Sequence, residues 1–204
     1  MHRFLCLFAA LAVSVPAATL IPAANFSAPT TMTFSGSTSA TSPAAYTEAG
    51  ASIRESNIGH TIYVYSGILD ADIFSSASLD VRFPSLMDRF GFLANSSAFT
   101  SHNFTISSVT FYSDTAMTSV TETYNTAFNV TSSDTFFGLQ QGAGSFAAVR
   151  IAMTAATGGG TFSPTIDDFR FEAGAVPEPA SLALLGLGAG SLVIAWRRRA
   201  ASKR

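Results

Sequence analysis

The sequence predicts an all-β fold, a two-sheet antiparallel β-sandwich, over the stretch from Thr19 to Gly174. Three observations carry that prediction. Short alternations of aromatic or β-branched residues with polar ones recur along the stretch, each closed by a cluster of Gly, Ser, Asn or Pro, the punctuation of turns. No segment keeps apolar residues at the spacing of an amphipathic helix. The chain of 204 residues is 48% hydrophobic and 12% charged, with 18 Phe. A domain of about 150 residues buries roughly 70% of its unfolded surface, enough for one core without cross-links.

In chain order the alternations predict strands at Thr31 to Gly36, Ala51 to Ser56, Thr61 to Ile68, Ser78 to Phe83, Arg89 to Ala94 and Asn103 to Tyr112. Further strands follow at Val120 to Asn125, Thr135 to Leu139, Phe146 to Met153 and Ile166 to Glu172. The two-residue period of a strand puts certain side chains on one face. Met32 with Phe34, Ile62 with Val64, and Leu79, Val81 and Phe83 are such sets; so are Val149, Ile151 and Met153, and Phe169 with Phe171. These are the expected core.

The two ends differ in kind from this body. His2 and Arg3 precede an apolar run from Phe4 to Val15, interrupted only by Ser14, and Ala17 and Ala18 follow. That is the pattern of a secretory signal peptide, residues 1–18, with cleavage after Ala17 or Ala18 and Ala24 as a further candidate. Twelve helical residues span about 18 Å, short of a bilayer core of about 30 Å. Cys6 lies inside this segment, so the mature chain has no cysteine, and neither disulfides nor thiol catalysis are expected of it. At the other end Pro177, Glu178 and Pro179 make a stiff joint, and Ala180 to Trp196 then runs without a charge up to Arg197, Arg198 and Arg199. Seventeen residues reach about 25 Å as a helix, a transmembrane span of near-minimum length. The arginines act as its cytoplasmic stop and place the sandwich outside.

Val176-Pro177-Glu178-Pro179-Ala180-Ser181, the Gly-rich apolar stretch after it, and Trp196-Arg197-Arg198-Arg199 together resemble the PEP-CTERM sorting signal of bacterial exported proteins. The resemblance covers Val176 to Arg204. It implies a substrate of an exosortase, a membrane-embedded enzyme that cuts near the Pro-Glu-Pro motif, in bacteria that make exopolysaccharide, biofilm or floc. The expected domains are the signal peptide at 1–18, the sandwich at 19–174 and the sorting signal at 175–204. Within the last, the motif is 177–179, the helix 180–196 and the basic tail 197–204. A looser resemblance runs from Arg89 to Glu172. The words Phe90-Gly91-Phe92, Phe136-Phe137-Gly138, Val149-Arg150-Ile151 and Ile166 to Phe171 look like the jelly-roll ectodomain of many such proteins, a layout similar to carbohydrate-binding sandwiches.

Charge and motifs narrow the function. Thr19 to Val176 holds five Arg, no Lys and twelve Asp or Glu, a formal −7, so the body offers no face for nucleic acid. Gly142-Ala143-Gly144-Ser145-Phe146 sets its serine in the wrong place for a nucleophile elbow. His60 and His102 stand forty-two positions apart, without the spacing of zinc ligands, and read as loop histidines. Gly158-Gly159-Gly160 lacks the lysine of a phosphate loop. Asp70 and Asp72 lack the Gly and Glu that complete an EF-hand loop and read as solvated turn acids. Asn25, Asn95, Asn103 and Asn129 begin Asn-x-Ser/Thr triplets, coincidental in so Ser- and Thr-rich a bacterial chain.

Two candidate sites remain in the body. In a regular strand Asp167 shares the face of Phe169 and Phe171 and needs a partner at the core rim: Arg150, backbone amides at a bulge, or a structural Ca²⁺ held with Asp168. Tyr63 and Tyr65 alternate with Ile62 and Val64 and face outward, either as a platform for a sugar ring or as ordinary cross-strand packing. The expected protein is an exported, non-catalytic surface or matrix component, associated with exopolysaccharide. Its partners are the translocon, signal peptidase, exosortase and, before processing, the membrane. A secreted carbohydrate-binding or carbohydrate-active protein and a permanently anchored envelope protein are the alternatives.

Overall fold

The computed structural model describes residues 17–71, 76–96, 103–131, 133–142, 145–156 and 162–174. The chain divides into two units, 1–173 and 174–204, and the described residues fall in the first apart from Gly174. The expected membrane helix, the Pro-Glu-Pro motif, the arginine stop, His102, Asp72 and Gly158 to Gly160 lie outside the described residues. Among the described residues no helix is long and apolar enough to cross a membrane.

Fourteen strands make up the described body. They are Thr19–Leu20 (β1), Thr30–Met32 (β2), Thr38–Thr41 (β3), Tyr46–Glu48 (β4), Ala51–Glu55 (β5), Thr61–Tyr65 (β6) and Ile68–Ala71 (β7). The longer ones follow: Ser76–Met87 (β8), Arg89–Ser96 (β9), Phe104–Tyr112 (β10), Val120–Val130 (β11), Thr135–Gln140 (β12), Phe146–Ala155 (β13) and Pro164–Glu172 (β14). One sheet has the order β1-β12-β9-β14-β7-β6-β3, with β2 also on β14; the other runs β11-β10-β13-β8-β5-β4. Every pairing is antiparallel. Strands distant in sequence interleave, β14 beside β9 and β13 between β10 and β8, which is the wiring of a jelly-roll-like sandwich. The fold is the all-β antiparallel sandwich the alternations predicted.

The inner faces meet in a core dominated by phenylalanine. All twelve residues expected there, from Met32 to Phe171, are buried. Phe90 sits at the centre, with ring centroids of Phe92, Phe111, Phe146 and Phe169 between 5.9 and 6.4 Å away. Phe92 stacks on Phe169 at 5.6 Å and 6°. Such pairs add about 0.5–1.5 kcal/mol each to the burial of the rings themselves.

The structure corrects four readings. Thr61 to Ile68 is two strands, because Ser66 (φ 52°) and Gly67 (φ 90°) form a two-residue turn with both residues left-handed, which reverses the chain so that Tyr65 faces Ile68. Ala49 (φ 51°) and Gly50 (φ 79°) join β4 to β5 in the same way; the three residues of β4 are too few to show a period, whereas β5 lies where the alternation predicted a strand. Phe34 lies beyond the end of its strand with φ 50°, yet is still wholly buried. Asp70 is not a solvated turn acid but a strand residue only 6% exposed. Asp167 does not share a face with Phe169. The β14–β9 register shifts between Asp167 and Arg170, and Asp168 at the bulge has φ 50°. The extra residue turns Asp167 to the outer side while Ile166 and Phe169 both stay inside.

Candidate ligand-binding face

The outer face of the eight-stranded sheet carries the polar and aromatic groups singled out above. Register places them in rows. Ser39 pairs with Tyr63, Tyr63 with Asp70, Asp70 with Thr165 and Thr165 with Asn95, so one row crosses β3, β6, β7, β14 and β9. In the next row Tyr65 pairs with Ile68, while Asp167 pairs with Leu93 and Leu93 with Phe136. Both tyrosines therefore face outward, as expected, while Ile62 and Val64 are buried behind them.

The two rings are held differently. Tyr63 is 45% exposed, with its ring at the surface. Tyr65 is partly buried, and its hydroxyl donates to Asp70 Oδ2 at 3.0 Å. Burial pushes the Tyr65 phenol up to about 12, and the neighbouring Asp70 charge and hydrogen bond add to the shift. Asp70 in turn shares the single hydroxyl hydrogen of Ser163 with the Ala71 carbonyl, which lies 2.7 Å from Ser163 Oγ. This chain of bonds fixes the floor beside the exposed ring. Thr165 Oγ1 is buried in the same row without a hydrogen-bond partner among the described residues.

At the other end of the face Phe136 lies over two glycines. A Cβ on Gly91 would come 2.5 Å from Phe136 Cζ, and one on Gly138 would come 2.7 Å from Phe136 Cε1. The absent side chains make the ring's bed. Phe26 packs edge-on at 6.0 Å, and the Arg170 guanidinium carbon stands 5.9 Å from the ring centroid. Asn95 Nδ2 donates to Asp134 Oδ1 at 2.9 Å on the same side.

The proposed calcium pair is engaged elsewhere. Asp168 forms an ion pair with Arg170, and Asp167 Oδ1 accepts the Asp168 backbone N–H at 2.6 Å. Partial burial pushes the Asp167 carboxyl up; that hydrogen bond opposes the shift, and the charges of Asp168 and Asp134 reinforce it. No group of three or more His, Cys, Asp or Glu that could hold a metal occurs among the described residues. Arg150, the other suggested partner of Asp167, lies on the opposite sheet. With Arg54 it clasps Asp80, at 2.7 and 3.2 Å. His60 is a partly buried loop residue whose Nδ1 lies 3.8 Å from the buried Glu55.

Asp70, Thr165 and Phe136 were not anticipated as members of this face. The signal for Phe136 was present in the paired words Phe90-Gly91-Phe92 and Phe136-Phe137-Gly138, where a glycine inside a strand marks a close approach. Nothing local marks Asp70 or Thr165, whose neighbours come from distant strands.

Residues 175–199 match the PEP-CTERM protein-sorting motif, which implies exosortase processing of a secreted protein that is transiently anchored in the membrane. No curated protein matches the sequence. Among solved structures, a point mutant of the carbohydrate-binding module CBM29-2 is similar at 10% identity, over 71% of this chain and 92% of that one, with a TM-score of 0.43. A family 29 carbohydrate-binding module aligns at 12% identity over 66% and 88%, TM-score 0.38, and a CBM4 structure at 14% over 59% and 77%, TM-score 0.32. Likenesses of this size do not assign a ligand.

Proposed function

We propose that the protein is a non-catalytic component of the cell surface or extracellular matrix, and that its sandwich holds exopolysaccharide on the outer face of the eight-stranded sheet. The observation that carries the binding reading is the surface ring of Tyr63, set beside a hydroxyl and carboxylate network of Tyr65, Asp70 and Ser163. An exposed ring offers its apolar face to the C–H face of a pyranose, and the buried hydrogen-bonded network beside it holds that part of the face rigid.

Two experiments separate this reading from its alternatives. Retention of the protein on exopolymer from the producing strain should fall about tenfold in Tyr63→Ala, the loss of one stacked ring, and stay unchanged in Ile58→Ala, at a loop position 84% exposed. Equal retention of both variants would reject the binding face, and release of reducing ends from the polymer would favour a carbohydrate-active enzyme. For sorting, Glu178→Ala should trap the chain in the membrane fraction, whereas the native protein appears outside, shorter at its C-terminus by intact mass. An unchanged location would instead indicate a permanent anchor.

A further inference from the structure

Where the folded body begins is unusually specific. Ala18 is only 4% exposed and belongs to the core cluster, whereas Ala17 is exposed. Thr19 and Leu20 pair with Gln140 and Leu139, so extending the register by one residue sets Ala18 opposite Gln141. The Ala18 N–H donates to Glu122 Oε1 at 2.5 Å, bridging to β11 at the edge of the other sheet. Two acceptors are left over on the residues that meet Ala18, Glu122 by this hydrogen bond and Gln141 by register. Glu122 Oε2 and Gln141 Oε1 are both buried without hydrogen-bond partners among the described residues, and the Gln141 amide is turned to Thr121 Oγ1 at 2.8 Å.

A peptide nitrogen has one hydrogen, already given to Oε1. An α-ammonium at the same atom has three, and a positive charge to set against the carboxylate. We propose that the chain is cut between Ala17 and Ala18 and that the new α-ammonium of Ala18 docks on Glu122 and Gln141 as a latch joining the two sheets. The inference rests on the reading of residues 1–18 as an export signal and moves its end by one residue. The step is a hydrolysis by the signal-cleaving peptidase. Water adds to the Ala17 carbonyl, the C–N bond to Ala18 breaks, Ala17 leaves as a carboxylate and the nitrogen takes up both protons of the water to become the α-ammonium. The residues before the cut suit it, with small Ala17 next to the bond and Val15 two positions earlier. A cut after Ala18 would delete a buried core side chain, and one after Ala24 would remove β1 altogether.

The sequence makes the test clean, because Lys203 is the only lysine in the chain. N-terminal sequencing of the exported protein should read Ala18-Thr19-Leu20. An amine-reactive reagent at neutral pH should label that α-amine about tenfold more slowly in the native protein than in Glu122→Ala, the protection of one charge-assisted hydrogen bond. Glu122→Gln should show intermediate protection. The native precursor with its signal intact would mean that the export reading itself fails. A mature chain beginning at any other residue would overturn the cleavage site while leaving export standing. A chain beginning at Ala18 but labelled equally fast in the native protein and in Glu122→Ala would overturn the latch.

Discussion

At the scale of single residues, hydrogen-bonded carboxylates do opposite work in this sandwich. Glu48 accepts from the Thr33 N–H and hydroxyl, both at 3.0 Å, the Phe34 N–H at 2.9 Å and the Tyr46 hydroxyl at 2.8 Å. Burial alone raises its carboxyl, but these four donors outweigh it and hold the group below its ordinary value of 4.5. A lowered folded value means stability that is complete above the unfolded pKa and lost as pH falls through the folded one. Glu172, which accepts from Ser27 and Ala28 and lies near Arg89, is lowered in the same way. Glu55 is the reverse. It is 1% exposed, and burial raises its carboxyl despite donors from Ser78 and Asn57 and the nearby His60. Its raised folded value contributes stability below the unfolded pKa that is lost as pH rises through the folded one. Glu48→Gln should therefore cost about 1–3 kcal/mol at pH 7 and progressively less toward pH 3. Glu55→Gln should lose least, or gain, above pH 7. Chemical denaturation curves across that pH range check both signs.

At the scale of elements, the devices that shape the sheet are those least visible in the sequence. The long strands β8, β10, β13 and β14 were legible because each, at nine or more residues, contains a run of apolar residues at the two-residue period. Strands β1, β3 and β4 were not, since two to four residues carry no period and their existence depends on the partner strand. The Asp168 bulge was invisible for a related reason. Periodicity assumes a regular strand, so Asp167 was assigned to the wrong face. The outward direction of Tyr63 and Tyr65 was legible from their buried neighbours; the network beneath them was not, because Ser163 comes from ninety-three residues beyond Asp70. The bed of Phe136 gives this scale its prediction. Gly91→Ala drives a methyl against Phe136 and to 2.9 Å from the Phe137 carbonyl, and should cost about 1–3 kcal/mol. Adding Phe136→Ala relieves only the ring contact, since the backbone oxygen stays, so the double variant should remain less stable than Phe136→Ala alone. A double-mutant cycle by thermal denaturation decides it.

At the scale of the whole molecule, the chain must survive outside the cell on packing alone. Its one cysteine is Cys6, in the segment expected to be removed, so no disulfide holds the sandwich, and a reductant should leave its melting temperature unchanged. The phenylalanine cluster takes that place. Phe83, on a strand of the six-stranded sheet, touches Phe90, Phe169 and Phe171 on the facing one, with centroids between 5.4 and 6.5 Å. Phe90 reaches back to Phe111 and Phe146, so each sheet's packing surface is the other's. Neither sheet keeps a dry face without its partner, and the body should unfold in one cooperative step. Phe90→Ala removes the ring shared by both sheets and should cost about 3–5 kcal/mol. The melting temperature should then fall by roughly 6–20 °C while the transition stays single. Two separated transitions in the native protein would show that the sheets fold as independent units, and would leave the shared core without its role.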